Sequence, residues 1–273
     1  MDRYAVFGHP IKHSKSPLIH ARFAEQTGQQ LSYEAILAPL DGFTEAVEQF
    51  RSAGGQGANV TLPFKQQAAE LCDSLSERAR LAGAVNTLYW QEGKLCGDNT
   101  DGEGLVRDLL KHKVALAGKR VLVLGAGGAV RGVIPELMAA QVGELVIANR
   151  TATKAKELAA LFHHLGQVQG GGFDEAEGAF DLIINGTSAS LSATLPPLKS
   201  EMLAERGSCY DMAYGDKPTV FQLWAEDAGA VINLAGLGML VEQAAVSFEI
   251  WRGVSPSTDE VYDLLMAQLG EAK

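Results

Sequence analysis

Cysteine is scarce: Cys72, Cys96 and Cys209 are the only three in 273 residues. They are scattered and odd in number, and none forms a C-x-x-C pair. That excludes a disulfide framework and points to a reducing, cytoplasmic compartment. Positive charge is also short. The 23 Lys and Arg stand against 33 Asp and Glu, for a net charge of −10, which argues against a nucleic-acid surface. No run of about 18 apolar residues occurs, so no membrane span is expected. The opening Met1-Asp2-Arg3-Tyr4-Ala5-Val6-Phe7-Gly8 lacks the basic start and apolar core of a signal peptide. Low-complexity segments and clear repeats are missing too. His9 and His13 are four apart, but Pro10 breaks the helix that a metal pair would need, and no H-E-x-x-H or cysteine cluster supports one.

What is present is an ordinary globular composition, 47% hydrophobic and 21% charged. The length suits two domains or one large one, able to bury roughly 70–75% of the unfolded surface. Short apolar strands alternate with amphipathic helices, the mark of an α/β chain with parallel sheets. In the first half, strands are expected at Tyr4–Gly8, Ser32–Leu37 and Gly57–Thr61, with helices at Pro17–Gln26, Phe43–Ser52 and Pro63–Cys72. The last of these begins with Pro at its first position. Ala84–Trp90 and Lys94–Gly97 read as a hairpin turned by Glu92-Gly93, and a helix runs from about Asp101 to His112. The second half places strands near Arg120–Leu124, Glu144–Asn149, Leu182–Asn185, Ser208–Asp211 and Val231–Asn233. Leu237 to Gly270 reads as two helices, with Leu240, Ala244, Phe248 and Trp251 on one apolar face. The expected organisation is two lobes with a cleft between them. Residues 1–100 are expected to form an α/β lobe, 101–236 a second, Rossmann-like α/β lobe, and 237–273 helices returning to the first lobe.

The run Val121-Leu122-Val123-Leu124-Gly125-Ala126-Gly127-Gly128-Ala129 is a buried strand followed by a glycine turn and a helix start. Glycines let the backbone approach a pyrophosphate, and the helix aims its N–H groups at it. The next strand ends in Asn149-Arg150-Thr151, with Lys154 one turn on. A NAD site prefers an acid there; cations suit the 2′-phosphate of NADP. The third glycine of G-x-G-x-x-G is replaced by Val130, so helix and strand are expected to pack less closely at that point.

Loops at the first lobe's strand ends carry the remaining chemistry. In His13-Ser14-Lys15-Ser16-Pro17, Pro17 reads as the first helical residue and Ser16 as its N-cap. The serine hydroxyls and free N–H groups could hold a carboxylate, or Ser16 could simply cap the helix. Lys65 follows Asn59-Val60-Thr61-Leu62-Pro63-Phe64 in a first helical turn, where the helix dipole disfavours a cation. It is either a surface lysine or a proton carrier. Asn86 and Asp101 fall near strand ends, Asn86 otherwise a turn residue and Asp101 otherwise a helix-start acid. Asp98 is the rival for any carboxylate role.

Together these segments resemble the shikimate dehydrogenase family over nearly the whole chain. The resemblance rests on Ser14 and Ser16, on Asn59-Val60-Thr61-Leu62-Pro63-Phe64-Lys65, on Gly83-Ala84-Val85-Asn86-Thr87 and on Gly97-Asp98-Asn99-Thr100-Asp101-Gly102. It continues through Gly125–Ala129, Asn149-Arg150-Thr151, Asp211-Met212-Ala213-Tyr214 and Gly236-Leu237-Gly238-Met239-Leu240-Val241-Glu242-Gln243. The resemblance implies NADP-dependent, reversible reduction of 3-dehydroshikimate to shikimate in aromatic amino-acid biosynthesis, without a metal. It assigns catalysis to Lys65 and Asp101, and substrate binding to Ser14, Ser16, Thr61, Asn86, Tyr214 and Gln243. Cofactor contacts fall on Gly125, Ala126, Gly127, Gly128, Ala129, Asn149, Arg150, Thr151, Lys154, Met212 and Gly236, with Glu77 as a further cofactor-side candidate. The family often carries Arg where Lys154 stands; Lys keeps the charge and loses the two-pronged phosphate contact. The implied partner is a small molecule, with a homodimer allowed and neither nucleic acid nor membrane. Two alternatives stay open: a quinate/shikimate dehydrogenase of broader substrate and cofactor use, and a non-enzymatic NADP-binding sensor on the same fold.

Overall fold

The computed structural model describes residues 1–187, 189 and 194–271. The chain divides into two compact units. The first comprises Met1–Gly104 with Val241–Asp263, and the second Leu105–Leu240 with the chain from Leu264 onward.

The first unit is built on a six-stranded sheet. Its strands are β1 (Asp2–Gly8), β2 (Leu31–Leu37), β3 (Gly55–Val60), β4 (Ser74–Leu75), β5 (Thr87–Gln91) and β6 (Lys94–Asp98), in the order β2-β1-β3-β5-β6-β4. β2, β1 and β3 run parallel; β5 is antiparallel to β3 and β6. The β5–β6 turn has both central residues left-handed, Glu92 at φ 51° and Gly93 at φ 80°, the backbone a tight two-residue hairpin needs. Helices α1 (Ser16–Thr27), α2 (Phe43–Ser52), α3 (Lys65–Leu71) and α4 (Glu77–Ala82) connect the strands. On α2, Phe43, Val47 and Phe50 repeat at helical spacing and bury against Phe7, Val60 and Phe64. α9 (Leu237–Arg252) and α10 (Asp259–Glu271) close the chain. In this unit Trp251 of α9 stacks on Tyr4 at 4.7 Å, and its indole N–H donates to the Leu88 carbonyl at 3.0 Å.

The second unit holds β7 (Arg120–Leu124), β8 (Glu144–Ala148), β9 (Val168–Gly171), β10 (Phe180–Asn185), β11 (Leu203–Asp211) and β12 (Ile232–Ala235). All pair in parallel, in the order β12-β11-β10-β7-β8-β9. This is the doubly wound dinucleotide order, with its switch point between β7 and β10. Val121 to Leu124 are fully buried, as expected for a central strand covered on both faces. α5 (Asp101–Lys111) leads into the unit, and α6 (Gly128–Ala139), α7 (Ala152–Phe162) and α8 (Val220–Asp227) make its connections. Among the described residues, no helix is long and apolar enough to cross a membrane.

Several expectations change in detail. The third helix does not begin at Pro63. The Leu62–Pro63 peptide is cis, as is His9–Pro10. Pro63 lies in a turn closed by the Phe64 N–H to the Thr61 carbonyl, and α3 starts at Lys65. Nor is Ser16 an N-cap: it is the first residue of α1, and no side chain of the preceding Lys15 caps the helix. The Ser16 N–H instead donates to the Ser14 hydroxyl at 3.3 Å. The short strands β4 and β9 had no counterpart in the sequence reading.

The missing third glycine also has an explanation. Val130 is fully buried in α6, and the close approach is made at Gly186 beyond β10, where a Cβ would run into Val130 Cγ2. The glycine that permits the contact lies just past the end of the neighbouring strand.

Candidate active site

In the first unit, the ends of β3, β5 and β6 bring Lys65, Asn86 and Asp101 together, and α9 adds Gln243. Lys65 opens α3 and Asp101 opens α5. The Lys65 ammonium Nζ lies 2.5 Å from Asp101 Oδ2. The other carboxylate oxygen, Oδ1, accepts from Asn86 Nδ2 at 2.9 Å. Asp101 occupies the first position of α5, a helix start where an acidic side chain is commonly placed. Asn86 Nδ2 also reaches Gln243 Oε1 at 3.2 Å, and the Asn86 Oδ1 accepts from the Thr100 N–H at 2.9 Å. The backbone pins the arrangement: Val85 N–H donates to the Lys65 carbonyl at 2.8 Å, and Asn86 N–H to the Asp98 carbonyl at 3.0 Å. Gln243 approaches because position 104 is glycine. A Cβ there would lie 2.7 Å from both the Gln243 Cβ and backbone nitrogen.

Thr61 follows β3, and its N–H donates to the Phe7 carbonyl at 2.9 Å. Gly8 permits this approach, since a Cβ would sit 2.5 Å from Thr61 Cγ2. Ser14 and Ser16 stand at the start of α1. The Ser16 hydroxyl interacts with the Tyr33 phenol, whose pKa burial pushes well up while Ser16 opposes it. The two rival acids have different partners. Asp101 faces Lys65, whereas Asp98 is taken up by Arg78 and Ser76.

The sequence reading missed the polar layer behind this group. Ser247 of α9 is fully buried, although it sits on the apolar face of that helix. Its hydroxyl accepts from Asn59 Nδ2 at 3.0 Å, shares a bond with Thr87 at 2.8 Å, and donates to the Gln243 carbonyl at 3.0 Å. Asn59 Oδ1 in turn accepts from the Tyr33 hydroxyl at 2.7 Å. The available signal was a serine interrupting the stripe of Leu240, Ala244, Phe248 and Trp251.

In the second unit, Gly125 takes φ 104° at the end of β7, and its N–H donates to the Ala148 carbonyl at 2.8 Å. Gly127, Gly128 and Ala129 are exposed, no side chain of the N-cap residue caps α6, and a Cβ at Gly127 or Gly128 would meet nothing. An exposed helix start with open space in front of it fits a dinucleotide pyrophosphate. Asn149, Arg150 and Thr151 follow β8, with Arg150, Thr151 and Lys154 exposed. Asn149 Nδ2 donates to the Thr151 carbonyl at 3.0 Å, shaping this turn. Met212 and Gly236 come together after β11 and β12, because a Cβ at Gly236 would run into the Met212 carbonyl. Tyr214 is half-buried in the same unit, and burial raises its pKa. Glu77 is exposed at the start of α4, 3.8 Å from Arg80.

Three family models match the chain in succession. Residues 6–88 match the shikimate dehydrogenase substrate binding domain, 108–207 shikimate / quinate 5-dehydrogenase, and 236–266 the shikimate 5'-dehydrogenase C-terminal domain. A shikimate dehydrogenase (NADP(+)) of Alkalilimnicola ehrlichii is 58% identical over 95% of this chain and 97% of its own. Among solved structures, an Ael1 enzyme from Pseudomonas putida is 48% identical with a TM-score of 0.92, over 97% of this chain and 98% of its own. Shikimate 5-dehydrogenase from Thermus thermophilus, in complex with NADP(H) and shikimate, is 35% identical with a TM-score of 0.85, over 96% and 98%.

Proposed function

The chain belongs to the shikimate dehydrogenase family, and from that premise we propose how its own residues carry the reaction. It catalyses the reversible NADP-dependent reduction of 3-dehydroshikimate to shikimate, in aromatic amino-acid biosynthesis. The observation that carries the residue assignment is the Lys65–Asp101 pair at 2.5 Å, backed by Asn86.

When bound, the cofactor supplies the hydride that reduces the ring carbonyl. Negative charge then develops on that oxygen, and Lys65 Nζ donates the proton that quenches it. In the oxidative direction Lys65 takes the proton back. Asp101 keeps the ammonium in place and orients a neighbouring substrate hydroxyl through its carboxylate. Ser14 and Ser16 hold the substrate carboxylate, while Thr61, Asn86, Tyr214 and Gln243 read the hydroxyls and set the ring. The turn and helix start from Gly125 to Ala129 would hold the pyrophosphate. Arg150 and Lys154 would hold the 2′-phosphate beside Asn149 and Thr151, with Met212 and Gly236 as further cofactor contacts. Glu77 is carried as a further cofactor-side residue. The domain reading of 1–100, 101–236 and 237–273 assigns substrate to the first part and cofactor to the second.

The free cysteines Cys72, Cys96 and Cys209 support a reducing location, and we place the enzyme in the cytoplasm. A homodimer is the assembly to test, by light scattering at two protein concentrations. The catalytic test mixes the protein with shikimate and NADP and follows reduced nicotinamide by absorbance, with quinate and NAD in parallel. Turnover fastest with shikimate and NADP is expected. Faster turnover with quinate or NAD would favour the broader dehydrogenase, and none with any pair would favour a sensor.

A further inference from the structure

Arg78 lies on α4, outside every motif of the sequence reading, yet it pairs with Asp98 and Glu103, the acids that flank Asp101 in the sequence. Its Nε donates to Asp98 Oδ1 at 2.7 Å and its Nη2 to Asp98 Oδ2 at 2.9 Å, a two-pronged fork. Its third nitrogen, Nη1, pairs with Glu103 on α5. Asp98 ends β6, three residues before Asp101, and Glu103 comes two residues after it. Asp98 Oδ1 also accepts from the Ser76 hydroxyl at 2.5 Å and from the Asn99 N–H at 2.7 Å. Asn99 continues the chain of contacts, with its Oδ1 accepting from the Asp101 N–H at 3.1 Å and its Nδ2 donating to the Ala84 carbonyl at 3.0 Å. Every hydrogen bond in this series lies inside the first unit.

We propose that Arg78 is a positioning residue of the reaction: by clamping Asp98 at the end of β6 and Glu103 on α5 it fixes the strand-to-helix junction that carries Asp101, and through Asp101 it fixes Lys65. The proposal rests on the assignment of Lys65 and Asp101 as the catalytic pair. The physical reason lies in the crowding of acids. Asp98, Asp101 and Glu103 fall within six residues where β6 passes into α5, and three carboxylates so close repel one another unless cations stand between them. Lys65 meets Asp101; Arg78 meets the other two. Only a guanidinium has the planar fork to engage one carboxylate with two nitrogens and still offer a third. The Asp98 carboxyl reflects the same grip: burial alone would push its pKa up, but Arg78 and Ser76 together hold it below its ordinary value. A clamp of this kind matters to catalysis because a misplacement of about 1 Å at a reacting group can cost about 100-fold in rate.

The test uses Arg78→Met, which keeps bulk without charge, Arg78→Lys, which keeps charge without the fork, and Glu103→Gln, which loosens only the α5 arm. Each is assayed for kcat and for both KM values, per folded protein as judged by circular dichroism, with Lys65→Ala alongside. Arg78→Met is expected to lower kcat by about 10- to 100-fold with KM for NADP changed by less than about twofold. Arg78→Lys is expected to recover part of that loss, and Glu103→Gln to lose about threefold or more in kcat. If Arg78→Met does not fold, Glu103→Gln decides. Folded variants whose kcat stays within about twofold of the parent, or an Arg78→Lys no better than Arg78→Met, overturn the clamp while Lys65→Ala remains inactive. An active Lys65→Ala would overturn the catalytic assignment beneath it.

Discussion

His20 offers a quantitative test of how the first unit is held together. Its ring lies on α1, fully buried, stacked on Tyr33 at 4.3 Å and 7° and flanked by Trp251 at 5.2 Å and Phe248 at 6.2 Å. Neither ring nitrogen makes a well-formed hydrogen bond. Burial lowers its pKa from 6.5 to about 3, with Asn59 acting in the opposite, smaller sense. The sign follows directly. Above the unfolded pKa both states are neutral, and His20 adds no pH dependence. As pH falls below 6.5 the unfolded chain takes a proton that the folded chain refuses until about 3. Stability is therefore lost across that window, at about 1.4 kcal/mol per pH unit. Between about pH 7 and about pH 5 the loss comes to about 2 kcal/mol. The perturbation is His20→Phe, which keeps an aromatic ring in the stack and removes the titration. Urea unfolding of parent and variant at both pH values isolates the term, since carboxylates titrate alike in the two proteins. The parent should lose about 2 kcal/mol more than the variant on acidification. Two curves that stay parallel within about 0.5 kcal/mol would refute a buried, neutral His20.

Three further outcomes follow from the geometry. Replacing Arg150 with Ala should raise KM for NADP by about 10- to 100-fold, matching a lost charge-assisted bond, with NAD nearly unaffected, and adding Lys154→Ala should narrow the preference further; an Arg150→Ala enzyme with the parent's preference would contradict the 2′-phosphate site. Ser14→Ala should raise KM for shikimate by a similar factor and leave KM for NADP unchanged, and the methyl ester of shikimate should be a poor substrate; an ester used as well as the acid would move the carboxylate site elsewhere. Gly186→Ala should destabilise by about 1–3 kcal/mol through the collision with Val130, and Val130→Ala in the same chain should restore much of the loss in thermal melts; no rescue would mean the contact is not the cause.

The parts legible in the sequence were those set by local rules. Four consecutive apolar residues after Arg120, followed by glycines, read as a buried strand turning into a helix, and β7 and α6 stand there. The α2 boundaries came out as read because Phe43, Val47 and Phe50 supply an unambiguous period. Glu92-Gly93 announced its hairpin through left-handed turn chemistry. Where the reading slipped, a non-local contact decided. Ser16 has the composition of a cap, but Ser14 takes over its N–H and Tyr33 engages its hydroxyl. Pro63 could open a helix by its ring geometry, yet the Thr61–Phe64 turn claims it. β4 is two residues long, and β9, Val-Gln-Gly-Gly, pairs only with β8 among the described strands; neither carries an apolar pattern. The Lys65–Asp101 encounter joins residues 36 apart, and spacing alone left Asp98 as a rival. Arg78 carried no signal in the sequence, because its partners lie 20 and 25 residues away.

The most direct test of the central claim is a double-mutant cycle on the pair that meets at 2.5 Å. Steady-state kcat with shikimate and NADP is measured for the parent, Lys65→Ala, Asp101→Asn and the combined variant. Lys65→Ala should lower kcat by about 100- to 10,000-fold, the worth of a positioned acid or base. Asp101→Asn should lower it as well, and the combined variant should lose far less than the product of the two, since the residues act as one unit. Fully multiplicative losses, or near-normal turnover in Lys65→Ala, would contradict the account.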